Sequence, residues 1–61
     1  MTIPINEQIE CVLRELRQRA RVYPRLIESG RMTPNKAREE TTRMEAVLAT
    51  LQKIGEGQRL I

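Results

Sequence analysis

Sixty-one residues with one cysteine, no histidine and no aspartate rule out an internal disulfide and leave no ligand set for a structural zinc. Eleven lysines and arginines against eight glutamates give a net charge of +3, with a single tyrosine as the only aromatic residue, a mildly basic balance that lacks the stacking surface of single-strand nucleic-acid binders. A chain of this size buries only about 60% of its unfolded surface, so a second copy or a partner is its remaining source of stabilisation.

No apolar run approaches the length of a membrane span or of a signal-peptide core, and a cytosolic location is the default expectation. The lead segment carries Ile3, Pro4 and Ile5, which have the chemistry to fold back onto an apolar surface. Ile9, Val12, Leu13, Leu16, Ala20, Tyr23, Leu26 and Ile27 then recur at three- and four-residue steps, which places them on one face of a helix. The spacing predicts helix one over about residues 7–29, with Asn6 as its N-cap, Glu7 and Glu10 in the first turn where negative charge suits the dipole, and Gly30 as its stop. Pro24 interrupts this stretch by removing one backbone donor and crowding the preceding turn. Because the apolar stripe keeps its phase across it, a helix kinked at Pro24 is expected, with a break between Val22 and Pro24 as the alternative.

A link over residues 30–33, Gly30-Arg31-Met32-Thr33, leads into Thr33-Pro34, a capping residue followed by a proline at the first helical position. Ala37, Thr41, Met44, Val47, Leu48, Leu51 and Ile54 form the stripe of helix two, expected over about residues 34–54 and ended by Gly55. Two amphipathic helices joined by so short a link pack antiparallel. The tail over residues 55–61, with Gly55 and Gly57, is expected to be flexible, with Leu60 and Ile61 able to return to an apolar surface. The fold class is therefore all-α, one two-helix antiparallel hairpin domain spanning residues 1–61, which dimerises into a four-helix assembly.

Nine of the eleven cations are arginine, and the stretch from Arg14 to Arg25 holds five of them against one glutamate. Arg14, Arg17, Arg21 and Arg25 fall on one line nearly opposite the apolar face. A solvated face braced by Glu10–Arg14 and Glu15–Arg19 pairs accounts for this line in part. Arg17, Arg21 and Arg25, however, are like charges at four-residue steps, each pair costing an isolated helix about 0.2–0.5 kcal/mol. A carboxylate or phosphate on a partner relieves that repulsion, and the arginine fork binds either group bidentately. Val22, Tyr23, Leu26 and Ile27 widen the apolar face near the middle of the chain. They are the candidate dimer contacts or apolar anchors, with the Tyr23 hydroxyl reaching a polar rim.

The catalytic inventory is empty. Cys11 projects to the edge of the polar face with no base to activate it, Glu39 and Glu40 diverge by about 100° and form no acid–base pair, and Met44 is core packing. Glu39 is expected to pair with Arg43, and Glu40 with Lys36 or Arg43. No cofactor or metal is implied, and the chain is not expected to be an enzyme.

The run Arg21-Val22-Tyr23-Pro24, followed by Leu26, Ile27, Gly30-Arg31-Met32, Ala37, Met44-Glu45-Ala46-Val47-Leu48 and Thr50-Leu51, resembles a group of short uncharacterised helical proteins of tailed phages and prophages. In that group an arginine-rich helix, a Val-Tyr-Pro, a glycine and a methionine-bearing second helix recur in this order. The resemblance covers roughly Arg14 to Leu51 and carries over no functional residue. It implies a phage or prophage accessory factor in the host cytoplasm, and by analogy with such factors a binder of a host or phage protein that inhibits or modulates a host process. A small basic DNA- or RNA-binding factor and a small structural subunit of a phage assembly are the alternatives.

Overall fold

The computed structural model describes residues 2–59, which form two helices and no strand. Helix α1 spans Ile5–Glu28 and helix α2 spans Pro34–Arg59. They lie against each other antiparallel in a body of 48 × 19 × 17 Å. The direction is fixed by pairing along the seam. Tyr23 and Ile27 flank the same groove as Ala37 and Thr41 near the link, while Ile5 and Leu51 meet at the other end.

The turn between the helices follows from one glycine. Gly30 adopts φ +77°, a left-handed conformation open to glycine at little cost. It lets the Arg31 N–H donate to the Leu26 carbonyl at 2.9 Å and the Gly30 N–H to the Ile27 carbonyl at 3.1 Å. These two bonds make a Schellman motif and occupy carbonyls that the helix end would otherwise leave free. Three residues later the Thr33 hydroxyl accepts from the Lys36 N–H at 3.1 Å, the N-cap expected ahead of Pro34.

The other helix ends differ from the sequence reading. Helix α1 begins at Ile5, not Glu7, and its N-cap is Pro4 with no side-chain capping bond. The Pro4 carbonyl accepts from the N–H groups of Glu7 and Gln8 at 3.1 and 3.2 Å, so the hydrogen-bond ladder starts before Asn6 can cap it. Asn6 is an exposed residue of the first turn. The far end of α1 is Glu28, with Ser29 as C-cap.

Gly55 does not end the second helix, and α2 continues through Gly57 to Arg59. The cause is tertiary. A Cβ placed at Gly55 would stand 3.6 Å from Ile9 Cδ1 and 3.9 Å from Ile5, so the Gly55 backbone is held against the first two turns of α1. The helix so supported occupies much of the tail expected to be flexible; the fold-back expected of Leu60 and Ile61 lies outside the described residues. The lead segment does reach the partner helix, since Ile3 and Pro4 line one groove with Leu51 and Ile54.

Pro24 sits inside α1, which is helical on both sides of it, so the alternative of a break between Val22 and Pro24 is not what the chain adopts. Packing also revises the stripes. The half-buried seam of α1 runs Ile9, Val12, Leu16, Arg19, Tyr23 and Leu26, and that of α2 Ala37, Thr41, Met44, Leu48, Leu51 and Gly55, of which only Ala37 is fully buried. Both follow alternating three- and four-residue steps, the seven-residue spacing that keeps a seam facing its partner along two slightly supercoiled helices. Held to that spacing, Arg19 takes the place expected of Ala20, which is exposed, and Val47 and Ile54 fall outside the seam at 48% and 47% exposure.

Candidate interaction surfaces

Three surfaces run the length of the hairpin, and each is set by helical phase. The first is the outer face of α1. Arg14, Arg17, Arg21 and Arg25 are all exposed, and their phase points them away from α2. Among the described residues no carboxylate lies within 4 Å of any of the four, and the expected Glu10–Arg14 pair does not form. The reason is the chemistry of an exposed pair: water solvates both ions well, and holding two long side chains together costs rotamer entropy.

The second surface lies along one side of the seam. Gln8, Glu15 and Val22 on α1 and Glu40, Val47 and Ile54 on α2 are two rows with seven-residue steps. Because the helices are antiparallel, the rows flank the seam on the same side: Gln8 and Ile54 share a groove with Ile3. The four exposed large apolar side chains of the described chain, Ile3 (48%), Val22 (39%), Val47 (48%) and Ile54 (47%), all belong to this side.

A polar knot crosses the same side. Arg19 lies 3.8 Å from Glu15 through Nε and donates from Nη1 to the Tyr23 hydroxyl at 3.2 Å. On α2, Glu40 receives Lys36 at 3.1 Å and Arg43 at 3.7 Å. The hydrogen bond and charge of Lys36 hold the Glu40 carboxyl below its ordinary range; partial desolvation opposes this, and Arg43 and Arg19 reinforce it. Arg19 thus acts across the seam on a carboxylate of the other helix. The expected Glu15–Arg19 pair forms, and Glu40 takes both of the partners expected as alternatives, Lys36 and Arg43, so that Arg43 sits on Glu40 and not on Glu39. The missing signal was the phase of Arg19, which the heptad spacing places on the seam.

The third surface is the opposite groove, where Ala20 and Pro24 meet Arg38, Thr42 and Glu45. Tyr23 and Ile27 also line it, but neither is among the exposed large apolar side chains, and it offers no convergent set of acid, base or nucleophile. The Cys11 thiol is exposed and free, and among the described residues no group of three or more histidine, cysteine, aspartate or glutamate side chains is placed to hold a metal ion. No described helix is long and apolar enough to cross a membrane.

Of the apolar anchors expected from the sequence, Tyr23, Leu26 and Ile27 are half-buried against α2 and Val22 alone is exposed. The Tyr23 hydroxyl meets Arg19 of its own helix. No family model matches the chain, and no curated protein or solved structure does so either.

Proposed function

We propose that this hairpin is a non-enzymatic protein-binding module, a phage or prophage accessory factor that docks on a host protein in the bacterial cytoplasm and inhibits or modulates the process that protein serves. The observation that carries the reading is the row Arg14, Arg17, Arg21 and Arg25, exposed and, among the described residues, with no carboxylate within 4 Å. Four guanidiniums on one rigid helix face form a preorganised set of forks for carboxylates on an acidic protein surface. Arginine commonly dominates interface energetics when a partner desolvates it.

Homodimerisation into a four-helix assembly is part of this reading. Its support is the thin core, since Ala37 is the one fully buried apolar residue described. A kink of α1 at Pro24 belongs to the same reading, because a proline has no N–H to offer the Ala20 carbonyl.

A DNA- or RNA-binding factor is the second reading, favoured by the same four arginines as phosphate contacts. Against it, Tyr23 is turned to the seam and bonded to Arg19, so the basic face carries no aromatic platform for bases. Affinity capture from nuclease-treated host lysate, with wild type and the double variant Arg17→Glu/Arg21→Glu, separates the two. The expected result is one host protein retained by wild type at near-stoichiometric yield and lost by the folded variant. Retention unchanged by the variant refutes the surface, and recovery abolished by nuclease transfers the arginines to a phosphate-binding role.

A further inference from the structure

From the arrangement of exposed apolar groups we infer that the second copy of this chain packs on the side of the hairpin carrying Ile3, Val22, Val47 and Ile54, and not on a contact centred at Tyr23. The inference deepens the dimeric part of the reading above and rests on it.

The accessible surface of the chain is 5248 Å², whereas a compact chain of 7.1 kDa exposes about 4,100 Å². The difference, about 1,100 Å², is somewhat more than the roughly 800 Å² that each partner contributes to a standard stable interface. A second copy is thus large enough to cover what the hairpin leaves open.

The choice of side follows from where that surface is apolar. The rows Gln8–Glu15–Val22 and Glu40–Val47–Ile54 run straight along the seam because their seven-residue step matches it, and such rows are what a third and fourth helix pack against in a bundle. The ions on this side are already satisfied within the chain: Glu15 has Arg19, and Glu40 has Lys36 and Arg43. Covering these two carboxylates leaves neither without a partner. Most of the outer arginines point elsewhere. Arg14, Arg17 and Arg21 lie on the face of α1 away from α2, with Arg25, three residues from Val22, at the margin of the contact, so two copies joined on the Val22–Val47 side present two basic outer faces.

Tyr23, Leu26 and Ile27 are half-buried against α2 already, so a dimer centred on them would cover less of the exposed apolar surface than one on the Val47 side.

Sedimentation equilibrium across micromolar to millimolar concentration, paired with hydroxyl-radical footprinting of wild type, tests this. The expected result is a mass rising to twice 7.1 kDa, with Val22, Val47 and Ile54 becoming protected over the same range. Val47→Arg, which places a charge at the interface in both copies, weakens the dimer by about 100-fold or more, while Ala49→Arg, on an exposed site away from this side, leaves it intact. The footprint needs no variant, so a misfolded Val47→Arg does not remove the test. A dimer whose protection falls elsewhere, or which Val47→Arg leaves unchanged, overturns the face and leaves the dimer standing. A monomer at every concentration overturns both.

Discussion

Arg19 donates to the hydroxyl oxygen of Tyr23 at 3.2 Å, one turn further along α1, and both side chains stand on the seam that faces α2. A cation thus occupies a position whose neighbours along the seam, Leu16 three residues before and Tyr23 four after, are largely apolar. Its ion pair with Glu15 spans 3.8 Å with the arginine side chain 28% and the glutamate 47% exposed, a setting in which such pairs contribute about 0–1 kcal/mol. The seam position itself has more to offer an apolar group.

Arg19→Leu is therefore expected to stabilise the hairpin by about 1 kcal/mol, from partial burial of a leucine side chain against α2. The measurement is a pair of urea unfolding curves at matched protein concentration. A midpoint that falls instead would mean that the bonds of Arg19 to Glu15 and Tyr23, with its pull on Glu40, outweigh apolar packing at this site.

Acid acts on the fold through Glu40. Its folded carboxyl titrates below the ordinary 4.5, first because of the hydrogen bond and charge of Lys36. A depressed acidic pKa contributes stability above the unfolded value and loses it as the pH falls through the folded one. Thermal midpoints of wild type should thus decline as the pH drops below 4.5, and Glu40→Gln should show a shallower decline across that window. Equal slopes in the two proteins would assign the acid sensitivity to other carboxylates.

Two glycines should respond to alanine in opposite directions. At Gly30, with φ +77° and open space around a new Cβ, the cost is purely conformational, about 1–2 kcal/mol. At Gly55 the backbone is helical and a Cβ finds Ile9 at 3.6 Å, an ordinary contact, so Gly55→Ala should stabilise by about 0.5–1 kcal/mol. Circular dichroism during thermal unfolding reads both, and a destabilised Gly55→Ala would show that the helices need to approach more closely there than the structure has them.

These two glycines also show how much of the fold was legible in the sequence. Where a boundary is settled by a local motif, as at Gly30 or at Thr33-Pro34, the residues announce it, because the bonds that close the helix lie within a few positions. At Gly55 the deciding groups are Ile5 and Ile9 on the other helix, and a glycine penalty of about 1 kcal/mol yields to that packing. Asn6 failed as a cap for a related reason, since Pro4 had already supplied the first carbonyl. The exposure of Arg14, Arg17, Arg21 and Arg25 was readable from helical phase alone. The seat of Arg19 was not, because a phase of 3.6 residues per turn points to Ala20 and the two-helix seam imposes 3.5. Val47 and Ile54 were displaced from the seam by the same drift.

The tight closure at Gly30 bears on the order in which the molecule assembles. Tyr23 and Ala37, which line one groove beside the link, are separated by fourteen residues of chain, whereas Ile5 and Gly55 at the far end are separated by fifty. Loop-closure entropy rises with that separation, so pairing that starts at the turn and zips outward brings each successive level together across a loop already shortened. Alanine at Gly30 then slows folding, while alanine at Gly55 acts chiefly on the rate of opening.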